Sequence, residues 1–219
     1  MRKYGPVPKR PPLTKLRIIE AASAVADRGG LESVSMRNVA KELKVEAMSL
    51  YHHVADKESL LDGLADWIVE QIELPEVTDP WRAAMSARAH SAHDVLSAHP
   101  WAITLIESRP APGMPLLRHH DRIVGCLLES GFSAELATHA FSAIDAYVYG
   151  FTLSESNLPF TPGDGAEEAF ASDVAPAPEE FPYLARSLGE LMESGTYSYA
   201  AEFDYGLELI LEGFERRLA

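Results

Sequence analysis

Met48, Ser49, Tyr51, His52 and His53 follow one another closely, with Arg37 upstream and Lys57 downstream, and these residue types are suited to nucleic-acid contact. The Arg37 guanidinium can donate to a guanine edge through two bonds, Met48 can pack on a thymine methyl, and the hydroxyls of Ser49 and Tyr51 suit phosphate oxygens. Lys57 adds a cation where a helix N-terminus already favours an anion. Other constellations carry less. His90 and His93 stand at a same-face helical spacing, and His119 with His120 could add metal ligands, but no cysteine or acidic partner accompanies them at a set spacing. No metal site is therefore expected. A glycine-rich phosphate loop, a nucleophile elbow and a paired catalytic motif are all missing from the sequence, which argues against an enzyme. A small all-α enzyme or a metal-binding protein is the alternative reading, and a purely structural DNA-binding protein a third.

The candidate contacts need elements to hold them. Ser35 is a good N-cap, and Val39, Ala40 and Leu43 follow at helical spacing, so a short helix with one apolar side is predicted there. After a break at Lys44-Val45, a second helix over Glu46 to Val54 turns Leu50 and Val54 inward and leaves Met48, Ser49, Tyr51, His52 and His53 outward. Two short helices joined this tightly form a helix-turn-helix, whose second helix enters the DNA major groove. An earlier helix, from Thr14 as N-cap to Arg28, carries Leu16, Ile19, Ala22 and Val25 or Ala26 on the side that covers this motif, and Gly29-Gly30 ends it. Residues 1–12 combine Pro6, Pro8, Pro11 and Pro12 with Arg2, Lys3, Lys9 and Arg10, a flexible basic arm able to reach phosphates or a minor groove.

Charge divides the chain. Its net charge of −14 would oppose DNA if evenly spread, but residues 1–57 hold 11 Lys or Arg against 6 Asp or Glu, and the remainder hold 8 against 27. A basic head attracts phosphate, while an acidic body limits how the protein can lie on DNA. At 219 residues, 47% hydrophobic and 24% charged, the chain has the composition of a soluble globular protein. No apolar run approaches the roughly 20 residues of a membrane span, and no signal-peptide stretch opens the sequence, so a cytoplasmic protein with no membrane partner is expected. The single cysteine, Cys126, agrees with a reducing compartment and reads as a small buried hydrophobe.

Beyond the head, a connector helix is predicted over Lys57 to Leu74, with Leu60, Leu61, Leu64, Ile68 and Ile72 in a stripe stopped by Pro75. Asp79-Pro80 signals an N-cap and first helical residue, opening a helix to Ser97. Segments Trp101 to Glu107 and Met114 to Ser130 follow, then a helix capped by Ser133, a long loop over Ser156 to Glu180, and helices over Pro182 to Ser194 and Tyr199 to Leu218. No alternating strand pattern occurs. The expected fold is all-α, with an N-terminal three-helix helix-turn-helix DNA-binding domain and a C-terminal helical domain. Its expected divisions are the arm at 1–12, the helix-turn-helix domain at 13–56, the connector at 57–74 and the C-terminal helical domain at 75–219.

Gly29-Gly30, then Ser35-Met36-Arg37-Asn38-Val39-Ala40, then Leu50-Tyr51-His52-His53-Val54 with Lys57 and Leu60-Leu61 behind, closely resemble the tetracycline-repressor (TetR) family of bacterial regulators. Ser108-Arg109-Pro110, Glu129-Ser130-Gly131-Phe132-Ser133 and Phe203 to Ile210 look like the corresponding stretches of the tetracycline repressors, so the resemblance covers most of the chain. It implies DNA contacts at Ser35, Arg37, Ala47, Met48, Ser49, Tyr51, His52, His53 and Lys57. It also implies a repressor that binds a palindromic double-stranded operator as a homodimer and is released by a small-molecule effector, with no cofactor. The helices around Ser133 to Glu155 and Tyr199 to Leu218 look like the dimer-forming pair, a four-helix bundle when doubled, with Gly206 and Gly213 allowing close approach. Lys44 departs from the glycine common in the family's turn, and a left-handed residue there costs about 1 kcal/mol.

By the same resemblance an effector pocket lies among the helices from Asp79 to Phe151, with Trp81, Met85, Trp101, Met114, Tyr147 and Phe151 as candidate wall residues. Tetracycline repressors hold a drug-bound magnesium through a histidine and a glutamate, where this chain has Leu105 and Ser154. Their drug-contacting asparagine and phenylalanine correspond to Arg88 and Ala92. A different effector is implied, and Arg88 with His90 and His93 points to an acidic or polar one.

Overall fold

Helix N-caps foreseen from local sequence are met at three places. Thr14 accepts from the Arg17 amide at 3.3 Å, Ser35 from Asn38 at 3.2 Å and Ser133 from Leu136 at 3.1 Å, each satisfying a first-turn donor that the helix itself leaves unpaired. The computed structural model describes residues 11–162, 166–174, 176–195 and 197–218. Eleven α-helices run through the described residues: α1 Lys15–Gly29, α2 Met36–Leu43, α3 Ala47–Leu50, α4 Lys57–Val69, α5 Trp81–Ala98, α6 Ala102–Glu107, α7 Met114–Glu129, α8 Ala134–Ser156, α9 Ala166–Val174, α10 Pro182–Ser194 and α11 Tyr199–Leu218. No strand occurs among them, and the fold is all-α. None of these helices is long and apolar enough to cross a membrane. Of the expected basic arm, residues 1–10 lie outside the described residues; Pro11 and Pro12 are exposed, and their carbonyls accept from Arg17.

The helices fall into two compact units. The first takes the residues up to Ile72 together with Ala98–His119. Its core is built from Ile18, Ile19, Ala22 and Ala26 of α1, Val39 and Ala40 of α2, Leu50 of α3, Val54, and Leu60, Leu64 and Ile68 of α4, all buried. Gly63 lets α4 approach α1, because a Cβ there would come within 2.8 Å of Ile19 Cδ1. Leu16, expected on the inward side of α1, is 56% exposed.

Three lengths differ from expectation in this unit. The second helix of the motif is a single turn, Ala47–Leu50, rather than Glu46 to Val54; Tyr51, His52 and His53 form a turn, with the His53 and Val54 amides both donating to Leu50 O. Aromatic, histidine and β-branched residues are weak helix formers, and the next cap, Asp56, follows at once. The connector ends at Val69, not Leu74. There the Gln71 amide bonds Ile68 O, three residues back, while its side chain takes Trp67 O at 3.0 Å, so the ladder tightens and stops. Ile72 is still buried beyond the helix end. Segment 101–107 is helical only from Ala102, with Trp101 as its cap.

The second unit comprises Glu73–Ser97 and His120–Ala219. Met85, Ala89 and Ala92 of α5, Ile123, Cys126 and Leu127 of α7, Ala140, Ile144 and Val148 of α8, and Phe203, Leu207 and Leu211 of α11 form its core. Burial raises the Cys126 thiol above its ordinary pKa, in keeping with a core side chain. Asp79 does not cap α5. Pro80 occupies the position before Trp81, its carbonyl accepts from Ala84, and the Asp79 carboxylate accepts from the Glu76 amide at 2.9 Å. The loop expected over Ser156 to Glu180 contains α9; its Gly163 and Gly165 lie outside the described residues. Gly206 faces inward, where a Cβ would collide with the Tyr147 ring and hydroxyl, so it serves packing within the chain rather than approach of a second one. Gly213 has open space beside it apart from Arg217.

Candidate nucleic-acid interface

Lys44 makes the motif's turn. Its backbone adopts φ 56° and ψ 45°, the left-handed conformation, and its amide closes α2 onto Ala40 and Lys41 carbonyls while the Val45 amide bonds Ala40 O at 2.9 Å. That reversal sets α3 against α2 with Leu50 fully buried beneath it. Anchored on Leu50 and Val54, the intervening residues must face away from the core. Met48 is 72% and Tyr51 46% exposed, His52 and His53 are exposed, and Ala47 and Ser49 are half-buried.

Two helix N-termini flank this surface. Ser35 caps α2 with its Oγ, and Arg37 stands exposed in the first turn; the Asn38 side-chain amide donates to Ser33 O at 2.7 Å and ties the same turn down. At α4, the Asp56 carboxylate accepts from the Ser59 amide at 2.7 Å, a bond that lowers its pKa, and Lys57 follows, exposed. Positive N-terminal dipoles, a guanidinium and an ammonium thus border a row of side chains able to touch base edges, an arrangement that can hold phosphates and read a groove.

Segment 98–119 is bound to the same unit by polar contacts not foreseen from sequence. Asp27 of α1 accepts from Trp101 Nε1 at 2.7 Å and lies 2.8 Å from His99 Nδ1. Trp101, a candidate pocket residue, is thus tied to α1, and Leu105 is buried in the same unit, whereas Met114 is 67% exposed. Arg109 bonds Glu58 and Asp62 of α4. Such pairs join residues dozens of positions apart, and no local pattern announces them.

The other pocket candidates belong to the second unit. Met85 is fully buried, and Trp81 meets Phe132 edge to face at 5.0 Å. Tyr147 and Phe151 are brought together around Phe203, which stacks on the His93 ring at 4.4 Å; Tyr199 joins at Phe151. Tyr147 Oη lies within bonding distance of the carbonyls of Glu202 and Phe203, at 2.9 and 3.0 Å. Arg88 Nη1 donates to Asp145 at 2.6 Å.

The paired histidines do not converge either. His90 Nε2 meets Asp204 of α11 at 2.7 Å and its Nδ1 meets Ser86 O at 2.7 Å, while His93 Nε2 meets Glu155 of α8 at 2.8 Å. A carbonyl on one ring nitrogen of His90 and a carboxylate on the other are both satisfied by the imidazolium. Burial opposes that charge, but the Ser86 and Asp204 bonds outweigh it and raise the His90 pKa above its ordinary value. His119 is buried, and His120 lies against Phe141 with its pKa lowered by burial. Among the described residues no group of three or more His, Cys, Asp or Glu is placed to hold a metal ion.

Two family models match the chain. Residues 18–64 match the model for bacterial regulatory proteins of the tetR family, and residues 74–218 match that for the tetracyclin repressor-like C-terminal domain. An HTH-type transcriptional regulator from Saccharopolyspora erythraea is 31% identical over 93% of this chain and 85% of its own length. The HTH-type transcriptional repressor DrrR1 of Streptomyces coeruleorubidus is 31% identical over 94% of this chain and 78% of its own. Among solved structures, the TetR family protein ActR of Streptomyces coelicolor in complex with actinorhodin superposes with a TM-score of 0.73 at 26% identity, covering 95% of this chain and all of that one.

Proposed function

Since this chain belongs to the tetR family of bacterial regulatory proteins, we propose that it is a ligand-responsive repressor that binds a near-palindromic operator as a homodimer and leaves it when a small molecule binds. The observation that carries this reading is the exposed row Met48, Tyr51, His52 and His53, held out by buried Leu50 and Val54 and bordered by Arg37 and Lys57. The named relatives are transcription regulators, in keeping with a protein that is not an enzyme. Its place of action is the cytoplasm, on DNA.

Dimerisation is supported by a groove on α8 and α11 in which Leu136, Ala143, Leu209, Ile210 and Phe214 lie beside the polar His139, Ser142 and Arg217, with Leu209 more than half exposed. Doubling such a pair of helices buries these side chains in a four-helix bundle. A two-fold axis then relates the two recognition surfaces and requires half-sites roughly 34 to 36 Å apart or a multiple. The effector acts by population shift, favouring a dimer whose heads no longer match that spacing, with α4 carrying the change.

Gel-shift titration on DNA from the region upstream of its own coding sequence tests the reading. Tyr51→Ala and Lys57→Gln are expected to weaken binding while gel filtration still reports a dimer. Unchanged affinity in both variants would show that the surface is wrongly placed.

A further inference from the structure

Arg109 stands two residues beyond the end of α6, far in sequence from the helix-turn-helix, yet its side chain reaches the beginning of α4. Its Nη1 lies 3.1 Å from Glu58 Oε2 and 3.0 Å from Asp62 Oδ1. Those two carboxylates are one helical turn apart on the same face, where like charges repel. Glu58 directly follows Lys57 in the sequence and Asp56 precedes it, so with Asp62 the start of α4 carries three carboxylates and one ammonium. Asp56 is occupied by its cap bond. Glu58 and Asp62 are mostly exposed, at 73% and 62%, and both follow Lys57 in the first turns of α4, so their charge opposes a phosphate held by that ammonium. Arg109 is the cation set between them.

We propose that Arg109 is a remote determinant of DNA affinity, which it supports by neutralising Glu58 and Asp62 beside Lys57. The inference rests on the DNA-binding reading above and assigns part of that affinity to a residue outside the motif. As a fastener the contact is limited, because both carboxylates remain largely in water, where they are screened. As a charge it is well placed. The Arg109 side chain is only 16% exposed, its Nε has no partner among the described residues, and both bonds of its Nη1 go to these carboxylates. Since the effect is Coulombic and directed at phosphate, it is independent of base sequence and fades as salt rises.

The test measures binding of the full chain to a short labelled generic duplex and to the upstream DNA by fluorescence anisotropy, across a range of salt concentrations. Arg109→Gln is expected to weaken both by roughly five- to tenfold at about 0.05 M salt, with the gap closing as salt increases. Glu58→Gln with Asp62→Asn should tighten binding, and adding that pair to Arg109→Gln should restore at least the original affinity. An unchanged Arg109→Gln protein would overturn the proposal, as would a triple variant no tighter than Arg109→Gln, since the residue would then act through geometry. If Arg109→Gln does not fold, the Glu58→Gln, Asp62→Asn variant decides alone: tighter binding supports the proposal and equal or weaker binding overturns it. Absence of salt-dependent binding by the unaltered chain would refute the DNA-binding reading itself, an outcome distinct from binding that Arg109→Gln leaves unmoved.

Discussion

Arg88 and Asp145 form an ion pair at 2.6 Å in which both side chains are largely withdrawn from solvent, at 6% and 15% exposure. It links α5 to α8 inside the second unit, where removing one partner leaves the other charge without compensation. Arg88→Ala or Asp145→Ala is expected to cost about 3–5 kcal/mol, whereas Arg88→Met combined with Asp145→Leu should cost far less or be neutral. Urea denaturation of the three variants checks this. Equal losses in the single and double variants would mean that shape rather than charge governs the site.

Lys44 holds a left-handed backbone in the motif's turn, a conformation easy for glycine and strained for a residue with a Cβ. Lys44→Gly should therefore stabilise the first unit by about 1 kcal/mol, less whatever the added freedom of the unfolded chain returns. A rise in the urea midpoint at unchanged slope is the expected record. A fall would show that the Lys44 side chain contributes more than its backbone strain takes away.

His90 makes stability depend on pH. Its pKa is raised in the folded chain, so the protonated form is favoured there, and the contribution is fully present below the unfolded value of about 6.5 and lost as pH rises through the folded value. His120, whose pKa burial lowers, acts in the opposite sense and favours the folded state at higher pH. Thermal midpoints recorded from pH 5.5 to 8.5 separate the two. The decline with rising pH should flatten in His90→Gln and steepen in His120→Gln. A pH profile identical in His90→Gln and the unaltered chain would remove the Asp204 contact as its cause.

Much of the fold was legible because its signals are local. Thr14, Ser35 and Ser133 cap helices through amides three residues ahead, and Gly195 ends α10 with φ 59°, so short stretches of sequence carry those decisions. Leu50 and Val54 were legible as inward for the same reason, and the outward row followed. What failed were extents set by competition. Helix through Tyr51 to His53 gives way before the strong cap at Asp56, the Gln71 side chain takes a carbonyl from the end of α4, and α9 forms within a stretch whose prolines and glycines read as loop. Partners were not legible at all. The pairing of His90 with His93 looked convergent on spacing alone, yet each ring meets a carboxylate on a different helix.

By itself the sequence determined an all-α chain with a basic head, a helix-turn-helix and the residues turned outward from it, because periodicity, caps and net charge are properties of short or summed segments. The tertiary structure alone decided that Asp145 takes Arg88, that Gly206 makes room for Tyr147, and that Arg109 stands between Glu58 and Asp62. Those outcomes depend on which helix faces lie within a few ångströms once the apolar sides are buried, and hydrogen bonds and contact ion pairs form only over that range.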